Sequence, residues 1–159
     1  MSLSAFTMLH VIISLIGIVS GLVVLSGLLG SRIVPGWTAL FLVTTILTSA
    51  TGFLFPFDKL LPSHMIAILS LVLLLVACIA LYVMNLAGAW RWIYMLTALI
   101  ALYLNVFVLL IQSFLKIGPL HALAPSVPPS EPPFAIVQGI VLVLFIVAIV
   151  SAVRRFRPA

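Results

Sequence analysis

The sequence predicts an all-α polytopic integral membrane protein, a bundle of five transmembrane helices. Composition is the first observation. Of 159 residues, 65% are hydrophobic and 6% are charged, and the mean hydropathy is +1.49. Two acidic and seven basic residues cannot coat a water-soluble domain of this size. The second observation is the spacing of the apolar residues. They gather into runs close to the roughly 20 residues that cross a hydrocarbon layer. The third is what lies between the runs, which is Pro, Gly and most of the charge. Backbone polar groups inside lipid must pair within their own segment, so each run is expected to be a helix.

The first helix is expected over 4–29, ended by Gly30, Ser31, Arg32 and the Pro35-Gly36 turn. The second spans 37–55 and stops at Pro56 and Asp58. The third spans 63–86. Pro62 stands at its start, where a missing N–H costs nothing. Gly88 and Arg91 mark a tight turn into the fourth, over 92–115. A connection over 116–133 holds six of the ten prolines. That density predicts a stiff, extended segment without regular hydrogen bonds, either a plain spacer or a lid over one mouth of the bundle. The fifth helix spans 134–153 and ends in a basic tail. The whole chain reads as one transmembrane domain without internal repeats.

Five spans fix an orientation. Arg32, Arg91, Arg154, Arg155 and Arg157 fall on one side, and Lys59 and Lys116 on the other. The excess of cations places the C-terminus in the cytoplasm and the N-terminus outside. Trp37, Trp90, Trp92 and Tyr94 are then expected in the cytoplasmic aromatic belt. The formal charge of +5 sits at helix ends and forms no basic stripe, so nucleic acid is not an expected partner. Membrane lipid is. The N-terminus has no basic n-region, and its apolar run is too long for the core of a cleavable signal. Cys78 is a single thiol in an apolar run and reads as a small hydrophobe.

The polar residues gather toward the outer side. His10, His64, His121 and Asp58 all fall there. His10 lies roughly 9 Å down its helix at 1.5 Å per residue. It shares a face with Ser14, Gly17 and Gly21, and Gly17 and Gly21 form the small-xxx-small spacing that lets helix backbones approach closely. Thr44, Thr45, Thr48, Thr51 and Gly52 share a face of the second helix. Ala98, Ala101, Asn105, Gln112 and Lys116 form a stripe on the fourth. Gln138 sits one turn into the fifth. On the third, His64, Leu71, Leu75, Cys78 and Tyr82 share a face. Polar groups are costly against lipid, so all these faces are expected to turn inward. The result is a histidine-bearing polar pocket in the outer half above an aliphatic inner half.

Such a pocket, open to one side, points to a cofactor-binding or redox protein. Histidines on two helices at similar depth are what a b-type haem needs for axial ligation, which makes His10 and His64 the candidate iron ligands. A quinone needs less, namely one histidine, one amide and an apolar slot. Asn105, Gln112, Gln138, Thr48 and Thr51 complete the candidate site in either case. A zinc or copper site from His10, His64, His121 and Asp58 has suitable ligand types but no short-range motif. The bland alternatives are a packed His10 bonded to a neighbouring helix, threonines bonded to the carbonyl one turn back, and His64 at a helix start. Two further functions stay open. One is a noncatalytic accessory subunit that packs other membrane subunits on its Gly17–Gly21 face. The other is a small carrier, disfavoured by the apolar inner half. The only acids are Asp58 and Glu131, and there is no phosphate loop or Cys-x-x-Cys. Hydrolytic and nucleotide-driven chemistry is therefore not expected, while electron transfer stays open. The stretch from Thr51-Gly52-Phe53 to Leu61-Pro62-Ser63-His64 resembles small bacterial membrane proteins without assigned activity. That resemblance implies a bacterial inner membrane and assigns no residue a role.

Overall fold

A computed structural model describes residues 3–54, 62–126 and 129–156. The chain is 85% helical, with no strand among the described residues. In order it forms α1 (Leu3–Leu29), α2 (Pro35–Gly52), α3 (Pro62–Cys78), α4 (Trp90–Lys116), the short α5 (Gly118–Leu123) and α6 (Pro132–Arg155). A π-helical turn, Ile79–Val83, continues α3. Four segments are long and apolar enough to cross a membrane: Ser4–Leu29, His64–Val83, Trp90–Lys116 and Pro132–Arg155. The 18-residue α2 is not among them. Its five threonines dilute an otherwise apolar helix.

Each chain reversal has its own chemistry. After α1, Arg32 N–H donates to the Gly27 carbonyl at 2.8 Å and Ser31 N–H to Leu28 at 3.0 Å. These are the paired bonds of a Schellman cap. The left-handed residue is Ser31, with φ 61°, and not the neighbouring Gly30. After α3 the helix widens. Met84 N–H reaches back to Ile79 and Leu86 N–H to Ala80. Asn85, Leu86 and Gly88 then all take positive φ. Proline opens α2, α5 and α6 in the first turn, where it displaces no hydrogen bond.

α1 and α2 form an antiparallel pair with small residues as rungs. A methyl on Gly27 would meet Val34, one on Gly21 would meet Phe41, and one on Gly17 would meet Thr44 and Thr45. Beyond these rungs His10 bonds Thr51. The same glycine face of α1 also meets α4, where Leu102 abuts Gly21 and Asn105 abuts Gly17. α3 and α6 flank α4. The apolar core lies toward the end that carries the C-terminus. Leu28, Phe41, Leu74, Tyr94, Met95, Leu99, Leu102 and Phe156 are fully buried there.

Four sequence expectations change. The 116–133 connection is not simply extended: α4 runs through Lys116, α5 forms a helical turn, and α6 begins at Pro132. Tyr94 is not in an aromatic belt but fully buried beside α2, while Trp37 and Trp92 remain exposed. On α3 the inward residues are His64, Ser70, Leu74 and Ala77. Leu75 and Tyr82 of the expected inner face point outward, at 61% and 57% exposure. Of the expected face only His64 is buried; in a helix apolar all round, spacing alone does not pick the buried stripe, and packing in the bundle selects the neighbouring one. Finally, α3 ends in a π turn rather than running as a plain helix to 86.

Candidate functional site

The residues of interest collect at the end opposite the apolar core. There α1 begins, α2 ends, α3 begins, α4 ends and α6 begins. The last turn of α2 is the meeting point. His10 Nδ1 lies 2.8 Å from Thr51 Oγ1. A methyl on Gly52 would sit 4.0 Å from the His10 ring carbon Cε1. The Phe53 ring packs on the His64 imidazole with centroids 5.3 Å apart. Three consecutive residues, Thr51, Gly52 and Phe53, thus touch both histidines, one from α1 and one from α3. His64 is buried and His10 half-buried. Lys116, at the end of α4, is near enough to act electrostatically on His10.

The hydroxyl of Thr51 is already committed. It donates to the Leu47 carbonyl at 2.6 Å, with Thr48 O farther off at 3.3 Å. One hydrogen cannot serve both the carbonyl and the imidazole, so Thr51 Oγ1 accepts from His10 Nδ1–H. Thr44 and Thr48 fold back in the same way, onto Leu40 O at 2.6 Å and Thr44 O at 2.8 Å. Such bonds satisfy polar hydroxyls inside an apolar helix.

The other expected site residues sit deeper or farther round. Asn105 faces α1, and its amide donates to the Ser14 carbonyl over a long 3.4 Å. Ser14 donates to Val11 O. Gln138 donates from Nε2 to Phe107 O at 3.2 Å, and its Oε1 is buried with no partner. Gln112 is half-buried on α4. His121, on α5, lies 3.2 Å from the Phe114 carbonyl and ties the short helix to the end of α4. Asp58 and Lys59 lie outside the described residues. Among the described residues no three His, Cys, Asp or Glu side chains form a metal set. His10, Thr51 and His64 are therefore brought to one place, Asn105 lies a few turns below, and Gln138 joins α6 to α4.

Phe53 was not on the expected site. Its only sequence signal was its place directly after Thr51-Gly52, and contact with His64 requires the α2–α3 connection to fold back. Thr38 and Tyr94 were also not foreseen. Their fully buried hydroxyls neighbour each other across α2 and α4 without meeting hydrogen-bond geometry. Two open apolar grooves mark the outer surface. One, about 490 Å³, is lined by Ala135, Ile136, Gly139, Ile140, Val143 and Leu144 of α6. The other, about 330 Å³, runs between α1 and α2 at Leu15, Ile16, Val19, Trp37 and Leu40. Neither includes a candidate site residue.

Comparisons with protein-family models, characterised proteins and solved structures find no match to this chain.

Proposed function

We propose that the chain is a membrane cofactor-binding protein whose histidine end holds a haem b or a quinone for electron transfer. The observation that carries this is the convergence of His10 and His64 on the last turn of α2. Two imidazoles from different helices at one end of a bundle are a donor set for iron, or a polar anchor for a quinone head. Lys116 at the same end supplies a cation for an anionic group such as a haem propionate. Asn105 and Gln112 of α4 and Gln138 of α6 are the further polar residues of the candidate site.

In this reading all five long helices cross the membrane, with the N-terminus outside and the C-terminus in the cytoplasm. For α2 the support is its length, about 27 Å at 1.5 Å per residue, and the unbroken run of rungs it shares with α1. Its hydroxyls fold back onto its own carbonyls, which lowers the cost of crossing. The face that an accessory-subunit reading would give to another chain, Gly17–Gly21, is filled by α2 and α4.

The test is a reduced-minus-oxidised visible spectrum of detergent-purified protein from haem-supplied cells, with quinone extraction in parallel. A b-type α-band lost in His10→Ala and His64→Ala, or a quinone lost in His10→Ala, is the expected result. Neither chromophore nor quinone in the folded wild type overturns the proposal.

A further inference from the structure

We propose that the end of the bundle bearing Arg32, Arg91, Arg154 and Arg155 binds an anionic phospholipid, its phosphate held by the arginines and one acyl chain lying in the groove between α1 and α2. The four cations come from three parts of the chain, and the core draws them together. Ile33, Trp90 and Val153, the immediate neighbours of Arg32, Arg91 and Arg154, all pack on the cluster that buries Leu28, Tyr94 and Phe156. Arg32, Arg154 and Arg155 are exposed, and Arg91 is half-buried. No acidic side chain among the described residues lies at this end. The one described acid, Glu131, stands just before the first turn of α6. The 24 residues of that helix put it about 36 Å from Arg155 at 1.5 Å each. Its carboxylate is already bonded to Ser126 and Ser130. The chain's other acid, Asp58, falls in the sequence between α2 and α3.

The described chain supplies no acidic counter-charge for these arginines, so a partner must bring it. A guanidinium matches a phosphate with two parallel hydrogen bonds. The demand is greatest at Arg91. It stands in the first turn of α4, where the helix dipole adds positive potential. Arg154 and Arg155 lie in the last turn of α6, where the terminal carbonyls ease them. The rest of this surface suits a lipid. Trp37 and Trp92, in the first turns of α2 and α4, are exposed, and indoles favour the boundary between headgroups and acyl chains. From Trp37 the apolar groove of about 330 Å³ runs between α1 and α2 past Leu40, Ile16 and Val19. The turn that joins those two helices carries Arg32. Phosphate, interface and acyl chain thus each have a place, whereas a soluble polyanion would use only the first. This surface is separate from the histidine end and independent of any cofactor there.

The test adds phosphatidylglycerol or phosphatidylcholine with the same acyl chains to the full chain in detergent, and counts bound lipid by native mass spectrometry. The expected result is phosphatidylglycerol held about ten-fold more tightly than phosphatidylcholine, with the preference falling as salt is raised. Arg32→Gln and Arg91→Gln should each weaken phosphatidylglycerol binding about five-fold. Arg91→Lys, which keeps the charge, should retain most of the preference. Lys116→Gln, at the other end of α4, should leave it unchanged. Circular dichroism confirms that each variant is helical before its binding is compared. Equal binding of the two lipids overturns the proposal, and so does a preference that survives in the folded Arg32→Gln, Arg91→Gln double variant. Inorganic phosphate or a single-stranded oligonucleotide is titrated in parallel. Saturable binding of either that displaces the lipid assigns the surface to a soluble anion and overturns the proposal as well.

Discussion

The two ends of this bundle are built on opposite rules. At the C-terminal end, Leu28, Phe41, Tyr94, Met95, Leu99 and Leu102 lie fully buried around close-approaching backbones. At the histidine end, His64, Phe114 and Gln138 are buried, but His10, Thr51, Phe53 and Gln112 are only partly covered, and specific polar contacts supplement the packing. Lipid is as apolar as leucine, so helices in a membrane are held by dispersion and fit rather than by escape from water. The packed end therefore carries the stability of the fold. In the function proposed above, the histidine end is where a ligand would replace contacts without dissolving the bundle.

That division predicts a graded response, read as the denaturing-detergent fraction needed to unfold purified protein. Phe41→Ala, which empties space between α1 and α2, is expected to cost the most, about 3 kcal/mol or more. A cost comparable to that of a surface change would break the comparison. Gly21→Leu comes next. Even a single methyl there would stand 2.5 Å from Leu102 and 2.9 Å from Phe41, and overpacking of this kind typically costs about 1–3 kcal/mol. Thr51→Val, at the histidine end, is expected to cost under about 1 kcal/mol in the ligand-free protein, the net worth of an ordinary hydrogen bond. A larger loss would move part of the structural burden to that end.

Gln138→Leu sharpens the contrast further. It removes one hydrogen bond to Phe107 O, but also a buried oxygen with no partner. The two effects oppose, so stability should stay within about 1 kcal/mol of wild type. The smallest effect is expected in the 126–131 connection. Glu131 accepts from Ser126 Oγ–H and from the Ser126 and Ser130 N–H groups. The Ser126 hydroxyl, first among these, holds the Glu131 carboxyl below its ordinary value. A carboxylate lowered in the folded state contributes stability above its unfolded pKa and loses it as pH falls through the folded one. The Ser126 and Ser130 amide resonances should therefore be constant at neutral pH and shift only in acid. Glu131→Gln should abolish that shift while the bundle stays intact.

Much of this was legible in the sequence. The apolar, membrane-like class, the places of four long apolar helices and the close approach at Gly17 and Gly21 follow from composition, spacing and residue size, whereas the π turn that closes α3 does not. The face that α3 buries was not legible. His64, Leu71, Leu75, Cys78 and Tyr82 share a stripe by periodicity, yet the bundle buries the neighbouring stripe at Leu74 and Ala77. In an almost uniformly apolar helix, periodicity carries little contrast, and partner shape decides. Tyr94 illustrates the same limit, since an aromatic near a helix start suits an interface belt until a neighbouring helix covers it.

Of the site, the sequence by itself determined which residues could act. Three histidines, the amides Asn105, Gln112 and Gln138, and a threonine run stand out against an aliphatic background. Only the tertiary structure decided which of them meet. His10 and Thr51 are far apart in the chain and become partners because α2 doubles back along α1 on its glycine rungs. His64 joins them through Phe53, an apolar residue that no pattern of polar side chains would single out. The direction of the His10–Thr51 bond is one step further removed, since it depends on where the Thr51 hydrogen points, and the backbone carbonyl of Leu47 sets that.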